Sequence, residues 1–162
     1  MALYAIGDLH LGLSVDKPMD VFGPGWENHV QRLQEAFSKL HDDDVTVLCG
    51  DTSWGNDLGE SLADFRLIDS FPGRKLLLKG NHDYWWTTAA KMRRFFAENG
   101  LTTLDILHNN CHTYGDWALC GTRGWFFEED QKPHNAKVFN REVIRLEASL
   151  KQAEGRPILA FL

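Results

Sequence analysis

The sequence predicts an α/β fold in which parallel strands alternate with helices. Three observations predict it. Short apolar runs stand at residues 2–6, 45–49 and 75–79, a Gly-Asp or Gly-Asn turn follows each, and an amphipathic helical pattern follows each turn. Strands joined by single helices of this length lie parallel in one sheet with right-handed crossovers, because only that hand packs the helix back onto a twisted sheet.

The first run stops at Gly7-Asp8. Residues 9–25, rich in Gly and Pro and without a regular period, then read as a long irregular loop of the kind that serves a site. Val30, Leu33, Phe37 and Leu40 recur at helical spacing, and His41-Asp42-Asp43-Asp44 closes that helix as a solvated acidic turn. The second run ends at Gly50-Asp51. Its helix carries Leu62, Phe65, Leu67 and Ile68 and must stop before Pro72. The third run ends at Gly80-Asn81-His82-Asp83, and Met92, Phe95 and Phe96 mark a helix closed by Asn99-Gly100.

After Gly100 the texture changes. Residues 101–107, 111–114 and 117–120 read as short strands of a meander or second sheet, turning at Asn109-Asn110 and Gly115-Asp116. A polar loop at 121–134 leads to a helix bearing Val138, Val143, Ile144, Leu146 and Leu150, and a last strand spans 157–162. No repeat or linker breaks the chain, so residues 1–162 are expected to form a single domain.

Composition narrows the function classes. The chain of 162 residues is 43% hydrophobic and 25% charged, which excludes a disordered tail, a fibre or a disulfide miniprotein. Its net charge of -6 disfavours a partner gripped through nucleic-acid phosphates, because that mode needs a basic footprint. Cys49, Cys111 and Cys120 lie far apart and form no C-x-x-C pair, as in buried thiols of a reducing compartment. With no apolar run near ~20 residues, no membrane span is expected, and a cytoplasmic location follows.

The chemistry sits at the strand ends. Asp8 and His10, then Asp51, then Asn81, His82 and Asp83 all leave the carboxyl ends of the first three strands, the binding edge of an open α/β sheet. One such acid is an ordinary turn residue. Three such turns, supplying carboxylate, imidazole and amide together, predict a metal site. That mixture suits Mn, Fe, Zn, Co or Ni, since Mg and Ca prefer all-oxygen shells. Two ions ~3.5–4 Å apart can clamp a phosphoryl oxygen and lower the pKa of bound water to about 7.

Asp8-x-His10, Gly50-Asp51 and Gly80-Asn81-His82-Asp83 resemble, in order and spacing, the first three signatures of the calcineurin-like metallophosphoesterases. Residues 2–10, 80–86 and Gly121-Thr122-Arg123-Gly124-Trp125 are also similar to a subgroup of predicted bacterial phosphohydrolases. The resemblance implies two mostly β sheets, stacked as a sandwich and flanked by helices, with a dinuclear centre that hydrolyses phosphate mono- or diesters of small substrates. Asp8 and His10 would bind the first ion, Asp51 would bridge both, and Asn81 would bind the second ion and a phosphate oxygen. His82 would stabilise or protonate the leaving oxygen, and Asp83 would hold its imidazole in the useful tautomer. Arg123 would offer a fork to phosphate.

The family also supplies a later His and a Gly-His-x-His element, which the sequence lacks before Leu162, so the resemblance implies a domain without its C-terminal portion and a weak second metal site. The missing strands would leave a sheet edge uncovered. Two other readings accompany the enzyme: a catalytically silent protein-binding scaffold of the same fold, and a metal-dependent nuclease. His29, His41, His108, His112 and His134 are expected to be surface or core residues, and Tyr84-Trp85-Trp86 to pack in the core.

Overall fold

The computed structural model describes residues 1–125 and 133–162, residues 133 and 134 by their backbone alone. The chain divides into two compact units, Met1–Ile106 and Leu107–Leu162.

The first unit is a parallel four-stranded sheet in sequential order: β1 (Leu3–Ile6), β2 (Val45–Leu48), β3 (Arg74–Leu77) and β4 (Leu104–Ile106). Helices α1 (His29–Phe37), α2 (Leu62–Asp69) and α3 (Ala89–Glu98) connect them, and two short 3-10 turns, Met19–Phe22 and Pro24–Trp26, precede α1. The apolar faces of these helices supply the core: Leu33 and Phe37, Phe65 and Ile68, Met92 and Phe96 pack with Leu48, Leu77 and Ile106. Strand β2 is buried along its whole length, as a strand flanked on both edges in a covered parallel sheet must be.

Register decides what this sheet can do. Ile6 pairs with Leu48, Leu48 with Leu77, and Leu77 with Ile106, so the carboxyl ends of all four strands lie level on one edge. The motif turns therefore leave the sheet side by side.

Two expectations are corrected in this unit. Residues 104–106 form a fourth parallel strand of the first sheet, not the start of a second sheet, because the return from α3 brings them alongside β3. The acidic turn is not fully solvated. Asp44 is buried and its carboxylate accepts hydrogen bonds from Ala2 N at 2.6 Å and His41 N at 2.9 Å, which fastens the start of β1 beside β2.

The second unit contains β5 (Cys111–Tyr114), β6 (Trp117–Gly121), α4 (Pro133–Lys151) and β7 (Ile158–Phe161). Strand β6 pairs antiparallel with β5 and parallel with β7. A small apolar cluster of Ala118, Cys120 and Ala153 is supplemented by buried polar groups. Glu142 accepts from Thr122 Oγ1 at 2.8 Å and pairs with Arg145 Nη1 at 2.6 Å, while Ser149 Oγ accepts from Gly121 N at 2.9 Å and donates to Asn110 O at 2.5 Å. The α/β class with a parallel sheet, a second sheet and helices thus holds. Part of the expected loop at 121–134, and the side chain of His134, lie outside the described residues. Among the described residues no helix is long and apolar enough to cross a membrane.

Candidate metal centre

Beyond the strand ends, the first two motif turns run on as a short parallel ladder. Asp8 N donates to Gly50 O at 3.0 Å, His10 N to Asp51 O at 2.9 Å, and Leu11 N to Thr52 O at 3.1 Å; Trp54 N returns to Leu11 O at 2.7 Å. The third turn joins them because glycine lets backbones touch. A Cβ on Gly80 would stand 1.9 Å from Asp51 Oδ1 and 2.2 Å from Asp51 N, and one on Gly50 would stand 2.6 Å from Gly80 Cα. This contact accounts for the glycine before the acid and before the amide.

Asp8, His10 and Asp51 converge. One ligand atom from each lies within 4.8 Å of the others. His10 Nε2 is 3.5 Å from Asp8 Oδ1 and 3.8 Å from Asp51 Oδ2. All three residues hold a left-handed backbone, with φ of 57° at Asp8, 44° at His10 and 51° at Asp51. Side chains pay about 1 kcal/mol or more for that region, and such outliers gather at functional sites. Nothing in the sequence pattern alone announces it.

His82 and Asn81 stand next to Asp51. His82 N donates to Asp51 Oδ1 at 2.9 Å, and its Nδ1 lies 2.8 Å from Asp51 Oδ2 and 2.9 Å from Asn81 Nδ2. One ring nitrogen cannot donate to the carboxylate and accept from the amide at once, so these two contacts are alternatives. The exposures differ in a useful way: the Asp51 side chain is 7% exposed and that of His82 is 40%, leaving the imidazole open to an incoming molecule.

Asp83 departs from its expected place. Its buried carboxylate accepts from Gly80 N at 2.7 Å, Thr52 N at 2.8 Å, Asp51 N at 2.9 Å and Trp85 Nε1 at 2.9 Å, and makes no bond to the His82 ring. Burial pushes its pKa up, while the amide donors from Gly80 and Thr52 pull the other way. Asp83 therefore ties the second and third turns together through their backbones. Trp85 follows it into the core, Trp86 is half-buried, and Tyr84 is exposed. Arg123 belongs to the second unit, where its guanidinium lies 4.4 Å from the centre of the Trp125 ring.

Sequence reasoning passed over two neighbours. The Trp54 ring stacks on His10 at 4.8 Å and 22°, and Asp64, buried on α2, accepts from Ser53 Oγ at 2.5 Å and from Leu13 N at 2.9 Å. Asp64 thereby clasps the loop after His10 to the loop after Asp51. Burial raises its pKa. The signal in the sequence is an acid on the buried side of α2, beside Phe65 and Ile68.

A sequence profile described as calcineurin-like phosphoesterase matches residues 1–155. The chain belongs to that family. No curated protein matches it significantly. Among solved structures it is similar to a protein of unknown function, AQ665, from Aquifex aeolicus, at 17% identity and a TM-score of 0.50, covering 94% of this chain and 74% of that one. It is also similar to phosphopantetheinyl hydrolase from Mycobacterium tuberculosis, at 14% identity and a TM-score of 0.56, covering 98% of this chain and 66% of that one. These likenesses support the fold of this calcineurin-like phosphoesterase. The donor set is consistent with a metal-dependent family: two carboxylates and an imidazole gathered within 4.8 Å, with the acid of Asp51 buried, fit a divalent cation by number and chemistry.

Proposed function

We propose that this phosphoesterase hydrolyses phosphate mono- or diesters at a dinuclear centre. Asp8, His10 and Asp51 would hold one ion, and Asp51 with Asn81 would share a second. The convergence of Asp8, His10 and Asp51 on one level sheet edge, with His82 Nδ1 2.8 Å from Asp51, carries this reading.

Bound divalent ions would supply Lewis acidity toward phosphoryl oxygen and a nucleophilic water at neutral pH. The chain's own groups supply position and proton. Asn81, exposed at the head of its turn, would present its amide to a phosphate oxygen. His82, open to solvent at one side and backed by a buried carboxylate at the other, would donate a proton to the leaving oxygen. Asp83 acts earlier in the chain of support, accepting from the amides of Gly80, Asp51 and Thr52 and so holding the turn that carries Asp51 against the turn that carries Asn81 and His82.

The test is turnover of p-nitrophenyl phosphate and its bis ester with added Mn, Fe, Zn, Co or Ni. Hydrolysis that a chelator abolishes and His82→Ala lowers by about 100-fold or more is the expected result. Absence of turnover with every one of these metals, in protein that binds them, would overturn it in favour of a scaffold.

A further inference from the structure

The cluster has a second wall that no motif accounts for. Trp54, half-buried, stacks its ring on His10 and lies 5.2 Å from the His82 ring; its Nε1 donates to Met19 Sδ at 3.1 Å, which fixes the indole against the loop of residues 17–22. Lys17 places its ammonium 4.9 Å from the centre of the same indole. No carboxylate pairs with it among the described residues. That ammonium is thus one indole away from the proposed metal ligand His10.

Beside the indole opens a cavity of about 300 Å³ lined by Lys17, Pro18, Val21, Phe22 and Trp54. Val21 and Phe22 are 71% and 69% exposed, so they cover no core of their own. Adjacent large apolar side chains left in water mark a binding surface. A cation beside an aromatic wall whose ring also stacks on His10 complements a ligand with an anionic head and an apolar body.

We propose that Lys17, Trp54 and Phe22 form the substrate-recognition wall of this centre, selecting phosphate esters of apolar, ring-bearing alcohols. The inference rests on the phosphoesterase reading. Lys17 would add positive charge beside the indole on which His10 stacks, favouring a phosphate anion at the centre, and the cavity lined by Phe22 and Trp54 would take the alcohol's apolar portion.

Two arms test it. The binding arm measures affinity, by Trp fluorescence and calorimetry with Mn present, for 2-phenylethylphosphonate against ethylphosphonate, neither of which can be hydrolysed. The expected preference for the ring-bearing ligand is about ten-fold, from the apolar area it buries. Phe22→Asp should reduce that preference to within about two-fold of unity, and Lys17→Met should weaken both ligands about five-fold. Both residues are exposed, so circular dichroism should report an unchanged fold.

Equal affinity for the two ligands, or a preference that survives Phe22→Asp, would overturn the proposal. So would equal affinity accompanied by vesicle binding to phosphatidylglycerol that Phe22→Asp abolishes, which would assign the loop to a lipid surface. The turnover arm compares 2-phenylethyl phosphate with ethyl phosphate, whose alcohols are similar in acidity. If neither is hydrolysed with any metal while the phosphonate preference holds, the hydrolytic reading fails and the recognition wall stands.

Discussion

In the first unit β2 is buried end to end, and a continuous apolar core runs from Leu9 through Trp85 to Ile106; in the second, among the described residues, buried Leu107, Leu119 and Val138 and the small cluster of Ala118, Cys120 and Ala153 share the interior with Glu142, Ser149 and Thr122, which are held by hydrogen bonds. The difference teaches where chemistry can be mounted. A rigid apolar sheet tolerates strained turns at its edge, because burial of large side chains outweighs roughly 1–3 kcal/mol per strained residue. The second unit spends its polar groups on holding itself together.

Three experiments break or sharpen that contrast. The largest effect belongs to Gly80→Ala. Its Cβ would overlap Asp51, so we expect a stability loss of about 3 kcal/mol or more in urea unfolding, with loss of Mn binding measured by calorimetry. A variant that keeps both would show that the turns are less tightly joined than described. Next comes Glu142→Gln in the second unit. It leaves Arg145 and the Thr122 hydroxyl facing a neutral amide, and should cost about 1–2 kcal/mol while Mn affinity is unchanged. Altered metal affinity there would contradict the division of labour.

The smallest effect is a pH dependence. Lys75, wholly buried in β3, donates from Nζ to Phe71 O at 2.5 Å, Gly73 O at 2.9 Å and Asp69 O at 3.5 Å, closing the last turn of α2. Burial pulls its pKa down to about 8, with Asp69 and Asp42 opposing. Folded below its ordinary 10.5, the lysine binds fewer protons than it does unfolded between those pH values, so stability should rise from pH 8 to 10.5. We expect a gain of about 1 kcal/mol relative to Lys75→Met, read from paired urea titrations across that range.

Much of the first unit is legible in the sequence for the same reason that it is rigid. Apolar runs ending in Gly-Asp or Gly-Asn write the strands and their carboxyl ends plainly, and hence the meeting of Asp8, His10 and Asp51. The fourth strand is less legible: Leu104-Asp105-Ile106 is too short for its pattern to choose between sheets, and only the path back from α3 decides. The role that the family resemblance implies for Asp83, orienting the His82 ring, is not the contact observed, because the turn directs its carboxylate inward to backbone amides. Asp44 reads as part of a solvated acidic turn yet is buried, as are Asp64 and Glu142, since a sequence does not display which distant donors will need an acid.

The backbone at the three proposed ligands carries one last implication, for which replacements could survive there. Asp, Asn and His are the side chains most at home at positive φ after glycine, and they are also donors a divalent ion accepts. Conformation and coordination thus draw on the same short alphabet. An exchange of Asp8 or Asp51 for Asn could keep its turn while weakening charge, whereas Val or Ile would forfeit both, so drift at this rim is confined to a narrow corridor of chemically related neighbours.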